Sequence, residues 1–180
     1  MLAEALNSIR NALAPEFAGG EFDIGNIANP PANAPPVLLS LVNLKEESAL
    51  KNSAYSRVNS NTLKTEYFNP YVYMNAYLMF SSRRTSYSGA IADIAKVIRF
   101  LQGQNVFEAS YDGVDYKTTV NIYSPTFEDL NHIWGILGGK IYPSVMYIMR
   151  VSELKSNKVT EGGGVIEAIE NKFSVIQPKA

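Results

Sequence analysis

Cysteine is absent from this chain. That excludes disulfide staples, thiol chemistry and any zinc site built on thiolates, although it identifies no compartment. Charge is scarce too: Asp, Glu, Lys and Arg make up 18% of the 180 residues, and the formal net charge is -1. Nucleic-acid binding usually needs a basic excess or stripe, and neither is present. So weak a charge leaves little long-range repulsion between copies, which opens the way to self-association. No apolar run reaches the roughly 20 residues that a membrane-spanning helix requires. The opening MLAEALNSIRNAL sets Glu4 and Arg10 inside its apolar pattern and makes a poor secretion signal.

What is plentiful is apolar and aromatic surface: 46% hydrophobic residues, with Tyr 11 and Phe 8. A chain of this size and composition can bury one real core, so one domain with extensions is expected. Leu2, Leu6, Ile9 and Leu13 mark one face of a short helix that Pro15 ends. Residues 18–36, AGGEFDIGNIANPPANAPP, read as a flexible loop, because their prolines and glycines interrupt helix and sheet alike; Phe22, Ile24 and Ile27 could still dock on a neighbour. Val37 to Leu44 is a compact apolar strand. The Asn/Ser-rich stretch 45–70 follows as a loop unusually long for a compact domain.

Residues 71–80, YVYMNAYLMF, alternate as a strand whose second face, with Tyr73, Asn75, Tyr77 and Met79, suits cover by a helix or another subunit. A helix is expected from about Tyr87 to Leu101, with Ile91, Ile94, Ala95, Ile98 and Leu101 as its apolar stripe. ASYDGVDY then reads as turn-rich, with Asp112-Gly113 as a hairpin signal before a strand at Lys117–Tyr123. Thr126 is placed to cap a helix beginning near Phe127, with Asp129 as the reciprocal acid. Phe127, Leu130, Ile133, Trp134 and Leu137 form that helix's apolar side, and Gly138 and Gly139 close it. Ser144–Val151 returns as a strand. The expected class is α/β (α+β): a small mixed sheet flanked by helices, residues 1–153, followed by a C-terminal arm, 154–180, with scattered apolar anchors.

Chemistry is harder to find. The segment Gly135 to Ile141 imitates a phosphate loop, but the spacing is one residue short, Ile141 stands where a hydroxyl is needed, and the glycines follow a helix rather than precede one. Lys140 simply lies near the negative end of that helix. His132 is the sole imidazole and has no His-x-x-x-His or His-Glu partner. Ser144 lacks the G-x-S-x-G elbow of an exposed nucleophile. Glu46 and Glu47 are adjacent, so neither a strand nor a helix aims both at one acid-base site. Asp112 and Asp115 bracket a turn without calcium-loop spacing, and the glycine run 162–164 reads as a hinge. Trp134 and the Tyr71, Tyr73, Tyr77 row suit core or interface packing better than a ligand platform.

Four stretches taken in order, LVNLKEESALKN (41–52), NPYVYMNAYLMFSS (69–82), YSGAIADIAKVIRFLQGQNVF (87–107) and NHIWGILGGKIYPSVMYIMR (131–150), resemble the conserved domain of cap, or tube-terminator, proteins of extracellular contractile injection systems, particles related to contractile phage tails. The resemblance covers roughly residues 1–153. It implies a fold related to phage tail terminators, in a structural protein that closes the inner tube and contacts the last sheath ring, commonly as a hexameric ring. It implies no metal, no cofactor and no catalytic residue; composition already argues against nucleic acid and membrane insertion among the partners. Within it, Asn43, Glu46, Glu47 and Asn52 are expected to stabilise the strand-to-loop junction or an adjacent subunit. Trp134, Gly138, Gly139 and Pro143 are expected to set the last helix–strand connection. Two other readings stay open: a small-molecule-binding or enzymatic domain with 45–70 as a lid, marked by a deep pocket holding His132 or coupled carboxylates, and a generic phage-tail adaptor.

Overall fold

The computed structural model describes residues 1–47, 56–58, 65–67, 74–153 and 161–162. In chain order the elements are α1 (Leu2–Leu13), a 3-10 turn (Ala14–Glu16), β1 (Phe22–Ile24), β2 (Val37–Glu46), β3 (Ser56–Val58), β4 (Thr65–Tyr67), β5 (Met74–Ser82), α2 (Tyr87–Gly103), β6 (Val106–Tyr111), β7 (Val114–Tyr123), α3 (Phe127–Ile136), β8 (Ser144–Glu153) and β9 (Glu161–Gly162). Six strands pair in the order β1-β2-β5-β8-β7-β6. Only β1 runs parallel to its neighbour, β2; the other pairs are antiparallel.

Successive side chains on a strand point to opposite faces, and here each face has its own cover. Val37 and Leu39, Ala76, Leu78 and Phe80, Val120, Tyr147 and Met149 point to one side, where they pack with Ala5, Leu6, Ile9 and Leu13 of α1 and with Val97 and Leu101 of α2. Phe17, Phe22, Phe80 and Tyr147 run through this layer with neighbouring ring centroids 5.4, 6.3 and 5.6 Å apart. Each fully buried side chain of this size contributes about 1.5–3 kcal/mol, so this layer supplies most of the driving force. Leu38, Met79 and Met146 point the other way, onto Trp134 of α3, with Tyr77, Leu130, Ile133 and Leu137 partly buried around them. A helix thus covers the aromatic second face of β5.

The structure corrects several expectations. Residues 18–36 are not wholly loop: Phe22–Ile24 forms β1, and Phe22 and Ile27 are buried in the chain's own core. The hairpin turn expected at Asp112-Gly113 is present, with φ 53° and 73°, but the rest of ASYDGVDY is strand rather than turn, divided between β6 and β7. On α2 the buried positions are Ala90, Asp93, Ile94, Val97 and Leu101. Ile91 is 50% exposed and Ala95 is also exposed, so the stripe is rotated from the expected one. Asp93 occupies a core position there, which apolar periodicity alone does not reveal. Phe127, expected to face the core, is 92% exposed.

A second packing unit comprises residues 52–71 and 157–180. Its described part is a three-stranded antiparallel sheet in the order β3-β4-β9, with Glu66 and Tyr67 opposite Gly162 and Glu161. Strands from the long stretch 45–70 and from the C-terminal arm therefore share one sheet.

Candidate interaction surface

The sequence-singled residues fall into two local structures. In the first, β2 changes register between Leu41 and Asn43, and Asn43 comes opposite Tyr77. The Asn43 Oδ1 accepts the Leu44 amide at 2.8 Å, a local bond that suits an irregular strand position. Glu46 ends the strand opposite Met74. Glu47 turns away from it: its Oε2 accepts from Asn75 Nδ2 at 2.8 Å and from an Arg150 guanidinium nitrogen at 3.1 Å, and Arg150 Nε reaches Asn75 Oδ1 at 3.0 Å. Glu47 thus anchors the end of β2 to β5 and β8. Asn52 lies outside the described residues.

The second local structure is the end of α3. The Thr126 hydroxyl oxygen accepts the Asp129 amide at 3.1 Å while Asp129 Oδ2 accepts from the Thr126 amide at 3.4 Å and from its hydroxyl at 2.7 Å, a complete capping box. At the other end the Gly139 amide donates to the Trp134 carbonyl at 2.8 Å and the Gly138 amide to the Gly135 carbonyl at 3.4 Å. With φ of 100° at Gly138 and 75° at Gly139, this is a Schellman closure, and both positions favour glycine. Trp134 is buried, its ring 5.9 Å from that of Tyr142. The Pro143 carbonyl accepts the Ser82 amide at 3.0 Å, which starts the β5–β8 ladder. All four residues lie between the last turn of α3 and the start of β8.

Between the two lies a cleft of about 400 Å³, walled by Val42, Tyr77, Tyr123, Ile133 and Met146 and flanked by Asn43, Lys45, Asp129, His132 and Ile136. His132 is therefore part of a cleft, the mark set for the enzymatic reading. Beside it the Asp129 carboxylate is bonded within the helix cap, and the remaining walls are mostly apolar. Among the described residues no three His, Asp or Glu are grouped to hold a metal ion, and no helix is long and apolar enough to cross a membrane. Large apolar side chains stand exposed around α3, Ile136 at 85% and Ile141 at 74%.

One polar cluster had no sequence signal beyond an acid at a helical core position. Arg84 bridges Glu21 and Asp93, and the Ser82 hydroxyl donates to Asp93 at 2.9 Å. The Arg84 guanidinium holds the Glu21 carboxyl below the usual carboxylate range, and the two acids together raise Arg84. The cluster is structural: it ties α2 to the chain before β1.

The family model for the Pvc16 N-terminal domain matches residues 4–168. The fold is similar to the cryo-EM structure of the PVC sheath/tube terminator of an extracellular contractile injection system in the extended state, with a TM-score of 0.62 at 12% identity, covering 100% of this chain and 65% of that one. It is also similar to the cryo-EM structure of the anti-feeding prophage cap, a tube-terminating cap, with a TM-score of 0.63 at 16% identity, covering 96% of this chain and 62% of that one. The chain spans less than two thirds of either protein. No curated protein sequence matches it.

Proposed function

The chain belongs to the Pvc16 N-terminal domain family, and from that premise we propose that it is a structural cap that terminates the inner tube of a contractile injection system and contacts its last sheath ring. The observation that carries this is the family match across residues 4–168, supported by whole-length likeness in fold to a sheath/tube terminator and a tube-terminating cap. In this reading the protein acts as a closed ring, six copies in the form the resemblance implies, assembled in the bacterial cytoplasm and incorporated at the end of the particle. It catalyses no reaction, needs no cofactor, engages no nucleic acid and inserts into no membrane. Cyclic closure leaves no open head-to-tail edge around the ring, and termination along the tube axis then requires that the ring's outer face not repeat the surface on which tube rings stack. Asn43, Glu46, Glu47 and Asn52 stabilise the strand-to-loop junction or an adjacent subunit, and residues 155–180 reach a neighbour or the sheath.

The test is tube length. Electron microscopy of particles from a strain lacking this gene should show overlong or uncapped tubes, and restoring the gene should return the parental distribution. Unchanged lengths with normal tips and attached sheath would refute the cap reading. Deleting residues 155–180 should reduce particle binding or sheath attachment; retention of both would remove that role from the arm.

A further inference from the structure

Two helices on opposite faces of the six-stranded sheet each leave an apolar face to solvent, and their charges are of opposite sign. On α2, Tyr87 is 70% and Ile91 50% exposed, with the small Ala92 and Ala95 exposed beside them. The only acid on α2 is Asp93, which is buried on Arg84. Its exposed charges are therefore Lys96, whose Nζ stands 5.4 Å from the Phe17 ring centroid, and Arg99, which makes no hydrogen bond or ion pair among the described residues. On α3 the situation is reversed. Its charged residues are Glu128 and Asp129, with no lysine or arginine in the helix, and it borders the apolar cleft at Ile133 and Ile136. Among the described residues, Lys45 from β2 is the one lysine or arginine lining that cleft.

An exposed apolar ridge with cationic flanks thus lies on one face of the sheet, and an apolar cleft beside an acidic helix lies on the other. We infer that the α2 ridge of one copy seats in the α3 cleft of the next. Such a contact joins two different patches, so it is heterologous. Repeated around an axis it closes a ring, whereas a single self-complementary patch would stop at a dimer. The apolar side chains form the dry centre of the contact, and Arg99 meets Glu128 at its rim, where opposite charge sets register more than affinity. The net charge of -1 opposes the approach little. This inference rests on the cap reading only in taking the occupant to be a second copy in a closed ring.

The absence of cysteine makes the test clean. A chain carrying Ile91→Cys and Ile136→Cys, expressed in place of the native gene, should give a ladder of covalent oligomers when isolated particles are treated with a short bismaleimide. Each single-cysteine chain should give none. Dimers from either single variant would mean a self-complementary contact and overturn the inference. So would cross-linking of Ile136→Cys to another particle protein, or no ladder from particles that contain the double variant. Arg99→Glu should weaken ring assembly by about tenfold, and Glu128→Arg in the same chain should restore it; loss without rescue counts against the pairing. Tube lengths in the same samples separate the two claims. Parental lengths without a ladder leave the cap standing and remove this contact, whereas a ladder with lengths indifferent to the gene leaves the contact and removes the cap.

Discussion

Arg84 grips Glu21 with two guanidinium nitrogens, at 3.0 and 2.6 Å, across 63 residues of sequence. Its Nε holds Asp93 at 2.6 Å. The planar fork of arginine grips Glu21 bidentately while its Nε serves Asp93, a geometry that the point charge of a lysine ammonium does not reproduce.

Arg84→Met should therefore be costly, because it leaves the Asp93 carboxylate, 3% exposed, with only the Ser82 hydroxyl. A loss of roughly 2–4 kcal/mol is expected, read as a lower urea midpoint with unchanged slope. Arg84→Lys should recover only part of it. A loss under about 1 kcal/mol for Arg84→Met would show that water reaches Asp93 readily.

Acid should loosen the same junction. Glu21 is held below its ordinary range chiefly by the hydrogen bond from Arg84. A depressed folded pKa means that the unfolded chain binds the proton more readily. The contribution is therefore complete above the unfolded pKa and is lost as pH falls through the folded one. Urea titrations from neutral to strongly acidic pH should show this loss in the native chain and a shallower fall in Glu21→Gln. Identical slopes would remove Glu21 from the acid response.

Glycine substitutions around the end of α3 should split by sign. Gly138→Ala and Gly139→Ala place a side chain at φ 100° and 75°, each costing about 1–2 kcal/mol. Gly135→Ala, inside the helix with open space around its new Cβ, should gain roughly 0.5–1 kcal/mol. Thermal melting of the three variants checks the order.

Neighbouring positions at the start of α3 should also diverge. Thr126→Ala removes the cap and should cost about 1 kcal/mol. Phe127→Ser, at a side chain 92% exposed, should change stability by under about 0.5 kcal/mol. A large loss at Phe127 would mean that its ring serves folding rather than solvent or a partner.

Regular periodicity was legible from the sequence: α1, β2, β5 and β8 announce themselves by spacing, and α3 by a cap, an apolar side and a glycine pair. Elements whose stability comes from partners distant in sequence were not. β1 is a three-residue strand held by parallel pairing with β2, and its glycine- and proline-rich surroundings mask it. β6 was hidden because Glu108 and Ser110 break its apolar run, although the Asp112-Gly113 turn pointed to a hairpin. On α2 periodicity favours Ile91, while the fold buries Asp93 on an arginine nine residues earlier. The site divides similarly. Trp134 and its glycines could be placed from local rules, whereas the cleft needs Val42, Tyr77 and Ile133 brought together from three elements.

β8 comes after every other strand of the six-stranded sheet in sequence, yet it lies between β5 and β7. During synthesis, at about 5–20 residues per second, β1, β2 and β5 can meet on one side and the β6–β7 hairpin can form on the other. No ladder joins them until Ser144–Glu153 leaves the ribosome. The sheet is thus completed from its middle, and the nascent chain presents two open strand edges until that moment. A chain stopped before Ser144 would retain those edges for good, whereas a separate peptide spanning Ser144–Glu153 has a vacant slot with hydrogen-bonding partners on both sides.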